Sequence, residues 1–227
     1  MIDTGKTNKY LHSPGEMFLM VIITAVSNGV MIPQIIYTYK ISNAHTLFLS
    51  VLLFVSSFMY HLSESIGVEP IILKEVDWHQ LDNIASICGL MELFNYLMQN
   101  DRRTRKSIQW INFIAVVIVQ ESHAWNVWAT VIPILISLIM FIIKQTFYPK
   151  KGQIVNKDYL QKGLFYLLIG FVAFYFGLDE YKDYLRLWHG LWHLAMNQAY
   201  FHLYQLFNPK VYTFLECWDL KQVYAKE

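Results

Sequence analysis

Seven apolar runs recur along the chain, separated by short polar connections, at roughly 16–39, 46–67, 81–99, 108–120, 125–143, 160–177 and 184–207. A bilayer core about 30 Å thick is crossed by about 20 helical residues. The pattern therefore predicts an all-α fold, a seven-transmembrane helical bundle made by a single domain over residues 1–227. The second run, TLFLSVLLFVSSFMY, and the fifth, VWATVIPILISLIMFII, are the clearest. The third, fourth and seventh carry polar residues and, taken alone, read as well as core helices of a soluble protein. Strong spans elsewhere in so short a chain leave little room for a soluble core. The segment before Pro14 is polar and the first apolar run exceeds a signal-peptide core, so that run is expected to be the first span and not a cleaved leader.

Charge sets the orientation. Thirteen of the eighteen Lys and Arg residues fall in the connections after the first, third and fifth runs and at the C-terminus. By the positive-inside rule the N-terminus is outside and the C-terminus cytoplasmic. The RRTRK run, in an expected cytoplasmic loop Asp101–Ser107, reads as an orientation signal and not as a lipid-specific site. Composition agrees: 55% of residues are hydrophobic and only 15% charged, against about 25% charged in soluble domains. A net charge of +1 gives no nucleic-acid surface, and Cys88 and Cys217 form no disulfide framework.

Ionisable residues inside spans are costly and call for partners. The second run ends in SSFMYH, with Ser57 and His61 on one helix face; the third opens with HQLDN, which contains Asp82; the seventh carries WHGLWH, with His189 and His193 four residues apart. The predicted topology brings all of them to the outer side. Three imidazoles with a fourth position open form the arrangement of a catalytic zinc. Asp82 and Ser57 are then the candidate catalytic residues, Asp82 as proton acceptor or water-orienting carboxylate and Ser57 as a hydrogen-bond donor. A lone HxxxH pair also occurs as two helix-face histidines at an interface. His79 is an alternative ligand expected to face headgroups, His123 an interfacial residue and His202 a polar bundle contact. Glu92 is expected to pack against Asn95, Asn197 or Gln198.

Ser57-x3-His61, Asp82 and His189-x3-His193 resemble the motif set of the CREST superfamily of seven-helix membrane proteins. With MIPQIIYTYK, ESHAWNVWATVIP and YLRLWHGLWHLAMNQAYFHLYQLFNPK, the chain is similar to that superfamily's transmembrane-protein-8 and myomaker group, and to its short members in particular. The resemblance implies Zn2+ on His61, His189 and His193, with Asp82 and Ser57 around its water. It further implies a plasma-membrane protein acting in cell–cell fusion of the myoblast type, with Golgi or ER as the alternative membranes. The cysteine-rich C-terminal tail of that group is absent, only Cys217 lying near the inner end. The acidic first-helix pattern of the ceramidase branch is absent too. A zinc-dependent hydrolase of a lipid amide or ester is the second expectation, and a helical accessory subunit or receptor braced by zinc the third. The expected partners are membrane lipids and a second copy of the chain. An outer connection Ser63–Trp78 carrying Glu64, Glu69, Glu75 and Asp77 favours a side-by-side homodimer over head-to-head contact.

Overall fold

The computed structural model describes residues 12–41, 43–67, 72–123, 126–150, 155–179 and 182–207. Among them it contains helices and no strand: α1 (Pro14–Lys40), α2 (Ala44–Ile66), α3 (Glu75–Leu97), α4 (Arg102–His123), α5 (Val127–Phe147), α6 (Lys157–Gly177) and α7 (Leu187–Leu203). Cys217 lies outside the described residues.

Local chemistry explains most of the helix starts. Ser13 and Glu16 form a capping box ahead of Pro14, and Asn43, Asn126 and Asn156 each accept a backbone N–H in the first turn of α2, α5 and α6. Gly67, at φ 68°, ends α2 in the left-handed conformation that a glycine adopts without penalty. Two expected boundaries need correction. Helix α3 begins at Glu75, a turn and a half before the apolar run, because Glu75 and Asp77 favour a helix N-terminus. The expected loop Asp101–Ser107 is helical from Arg102, where the Asp101 carboxylate accepts the N–H groups of Arg103 and Thr104.

Helices α1, α2, α5 and α6 are long and apolar enough to cross a membrane, and the protein is a membrane protein. Its surface has the inverted character that lipid demands. On α5 the exposed side chains include Ile132, Leu135, Ile136, Ile139 and Ile142, whereas only Ala129 and Ser137 are buried. Helix α3 is the reverse case: Asp82, Cys88, Glu92 and Asn95 are all buried within the bundle. A central helix needs no lipid-facing side, so its polar residues do not argue against a membrane fold. Glu92 accepts from Thr46 (3.0 Å), Gln109 (2.8 Å) and Asn95 (3.2 Å), tying α3 to α2 and α4. The expected contact with Asn95 is present; the remaining donors are Thr46 and Gln109, not Asn197 or Gln198.

Helices α6 and α7 form the most extensive pairing, and a glycine every seventh residue explains it. A Cβ on Gly163 or Gly170 would meet Leu203 or Met196 at 2.6 Å, and one on Gly177 would meet the His189 backbone at 3.2 Å. Small residues at this spacing let two helices approach closely. By contrast, α5 and α6 scarcely approach each other.

Candidate metal centre

Two helices supply the imidazoles. His61 lies in the last turns of α2, and His189 and His193 occupy successive turns of α7. The three rings form a nearly equilateral group, with centroids 4.6 Å (61–189), 4.8 Å (61–193) and 4.8 Å (189–193) apart. One ring nitrogen from each lies within 4.8 Å of the other two, and the Nε2 atoms of His61 and His189 are 3.1 Å apart. Tetrahedral zinc with Zn–N near 2.0–2.1 Å separates its nitrogens by about 3.3 Å, so the spacing suits one small ion.

The hydrogen bonds behind the rings decide which nitrogen faces inward. His61 Nδ1 lies 2.9 Å from the Glu64 carboxylate, which can only accept, so Nδ1 carries the proton and Nε2 the lone pair. His193 Nδ1 lies 2.7 Å from Asn28 Oδ1, while the Asn28 amide nitrogen donates to the Thr24 carbonyl at 2.9 Å. That leaves His193 Nε2 as a buried lone pair without a protein partner. Acceptors converging in a dry site are unfavourable unless a cation joins them. On this test the donor set fits a divalent metal such as zinc.

The structure brings the predicted residues together in two groups. The first is the His61–His189–His193 triad. In the second, the Ser57 hydroxyl lies against the Asp82 carboxyl. Asp82 is 5% exposed, its Oδ1 has no partner, and it is not part of the metal-spaced cluster. Ser57 and His193 both line a cavity of about 650 Å³ that runs down between α3, α5, α6 and α7 to Leu206. Its walls are almost wholly apolar, with Asn83, Ser86, Thr130 and Asn197 as the polar exceptions besides Asn28, Ser57 and His193.

Four residues that the sequence reading did not single out complete the site. Glu64, assigned there to an acidic surface connection, is instead buried in α2. It bonds His61, receives Tyr60 Oη–H at 3.4 Å and pairs with Arg186 Nε at 3.4 Å. This removes Glu64 from the charge that was expected to disfavour head-to-head contact; Glu69 lies outside the described residues. Arg186 also donates to the Gly177 carbonyl, and it follows Leu185 in the left-handed region, at φ 58° and 55°. The Asp183 carboxylate accepts the backbone N–H groups of Trp188 and His189 and so starts α7 beside the site. Asn28 is the fourth. His79, expected at the headgroups, stacks on Tyr60 at 4.3 Å; His123 is exposed; His202 packs between Tyr159 and Tyr166.

The profile of a family described as "Protein of unknown function (DUF3522)" matches residues 16–194, and the chain belongs to that family. No curated protein matches it.

Proposed function

We propose that the protein is a metal-dependent hydrolase of an ester or amide bond in a membrane lipid. The observation that carries this reading is a three-histidine cluster, with His61 and His193 buried and His189 partly so, whose His193 lines a 650 Å³ apolar cavity. A cavity of that size suits a small lipid or a single long chain. It extends along α7 from Trp192 to Leu203, about 16 Å at 1.5 Å per residue. The sparse contact between α5 and α6 offers a lateral route from the bilayer.

His61, His189 and His193 would hold the ion, which is Zn2+ on this reading. When bound, zinc supplies a Lewis acid that brings the pKa of a water to about 7. Asp82 Oδ1, buried and unpartnered, would accept a proton from a nucleophilic water, and Ser57 Oγ would fix the carboxylate or donate to an oxygen that gains charge. The Glu64 carboxylate and the Asn28 amide hold two ligand rings. Purified protein in vesicles containing labelled phospholipid or N-acyl lipid is the test. Product release that is lost in Asp82→Asn, with metal retained, supports the reading; no turnover of either lipid class by metal-loaded protein counts against it.

Within this proposal α3, α4 and α7 also cross the bilayer, giving seven spans with the N-terminus outside and the C-terminus cytoplasmic. A Lys and Arg excess of thirteen to five supports that orientation. A second reading, action in cell–cell fusion at the plasma membrane, rests on the resemblance of SSFMYH and YLRLWHGLWHLAMNQAYFHLYQLFNPK to the short transmembrane-protein-8 and myomaker group. On that reading side-by-side dimers form in one membrane. Expression in cells that do not normally fuse separates the two: content mixing without lipid turnover favours fusion. A metal that only braces α2 against α7 would give neither.

A further inference from the structure

Helix α1 contributes nothing to the Ser, Asp and His pattern, yet its middle departs from α-helical geometry. Val21–Ala25 form an underwound π turn and Val26–Met31 an overwound 3-10 segment. Such interruptions cost regular hydrogen bonding and occur often at functional sites. Pro33 cannot donate to the Gly29 carbonyl and accounts for part of the 3-10 segment, whereas the π turn at Val21–Ala25 lies two turns further back, beyond its reach. Thr24 Oγ1 bonds back to the Met20 carbonyl at 2.8 Å, an arrangement that bends helices.

Two contacts show what the distortion accommodates. Helix α7 lies so close to the π turn that a Cβ on Gly190 would sit 2.5 Å from the Ile23 carbonyl oxygen. Gly190 separates the two α7 histidines, so this approach sets their distance from α1. Asn28 then meets His193, with Oδ1 2.7 Å from Nδ1 and its own amide nitrogen held by the Thr24 carbonyl at 2.9 Å. The Thr24 contact fixes which end of the amide points at the ring. Asn28 is 1% exposed, which shields this contact from bulk solvent.

We infer that Asn28 is a positioning residue of the metal centre, and that the π and 3-10 turns of α1 and the close packing of Gly190 serve to hold its carboxamide oxygen on His193 Nδ1, so that Nε2 faces the ion. This rests on the proposed metal site and extends it to a third helix. An acceptor behind a ligating imidazole fixes the ring and its tautomer, and removing such a partner weakens metal affinity about 10–100-fold. His61 has Glu64 from its own helix for this purpose; His193 takes its acceptor from across the bundle.

The test is Zn2+ affinity of the full chain in detergent, measured by competition with a chromophoric chelator, beside the Co2+ absorption spectrum. N28L should bind Zn2+ about 10–100-fold more weakly than the unsubstituted chain, with an altered Co2+ spectrum. N28D, which keeps an acceptor for Nδ1, should recover most of that loss. If N28L does not fold, N28S, too short to reach the ring, replaces it. An Asn28 that only stabilised the fold would lower thermal stability in all variants and leave affinity and spectrum alone, and that result overturns the inference. So does N28D binding no better than N28L. Failure of the unsubstituted chain to bind Zn2+ overturns the metal reading together with this one, whereas wild-type affinity in N28L overturns this one alone.

Discussion

Replacing Gly190 by alanine tests the packing of α1 against α7 with a single methyl group. The new Cβ would lie 2.5 Å from both the carbonyl oxygen and Cγ2 of Ile23. Ordinary contacts lie near 3.5 Å, so α7 must retreat by about 1 Å. The opposing oxygen is backbone and cannot rotate away. Overpacking of this kind costs about 1–3 kcal/mol, while glycine to alanine within a helix returns about 0.8–1.0 kcal/mol. The net loss is up to about 2 kcal/mol, and each kcal/mol lowers the thermal midpoint by about 2–4 °C at this size. Metal binding should suffer more than stability. A retreat of about 1 Å carries the 2.7 Å contact between His193 and Asn28 past the 3.5 Å limit of a hydrogen bond. Zn2+ affinity should then fall about 10–100-fold. Gly170→Ala is the control, because its Cβ would meet the thioether of Met196, which can swing aside. That variant should keep Zn2+ affinity. Wild-type affinity in Gly190→Ala, with Zn2+ bound by the parent, would refute the reasoning.

Asp82→Asn should retain metal and lose lipid turnover, measured side by side on one preparation, because the carboxylate lies outside the metal-spaced cluster. Glu92→Leu removes the acceptor of three buried donors, from Thr46, Gln109 and Asn95. At about 1–3 kcal/mol per stranded group, thermal unfolding should move down by well over 5 °C, with the metal centre intact in what remains folded. Accessibility labelling of single cysteines should reach position 103 from the cytoplasmic side and position 123 only from outside; the reverse pattern would invert the orientation.

How much of this was legible in the sequence depended on the physical signal each residue gave. Apolar runs announced the seven long helices among the described residues, because burial in lipid or core requires them. Helix ends were legible only where apolar character stopped. The first turns of α3 and α4 are charged and were read as connection, although Glu75, Asp77 and the Asp101 cap are what start those helices. The triad could be read because His189 and His193 stand four apart and His61 ends a span. Glu64 was missed although it stands three residues beyond His61: its position at the end of an apolar run looked like surface charge. Asn28 gave a fainter signal, a carboxamide amid VSNGVM in a span that also carries Thr24, Ser27 and Gln34. The same cost of burying a polar group in a membrane that singled out Asp82 applied to it. The partner, 165 residues away in sequence, could not be read from spacing at all. The Gly163, Gly170 and Gly177 series was visible as a seven-residue repeat, but its meaning depended on knowing that α7 lies against it.

Metal content of the purified full chain tests the account most directly. Elemental analysis after exposure to Zn2+ and exhaustive dialysis should find about one equivalent per chain in the unsubstituted protein, with almost none in His61→Ala or His193→Ala variants that keep their helical circular dichroism. A folded parent chain that retains no metal, or a His193→Ala variant that retains as much as the parent, would contradict the assignment of His61, His189 and His193 as a metal centre.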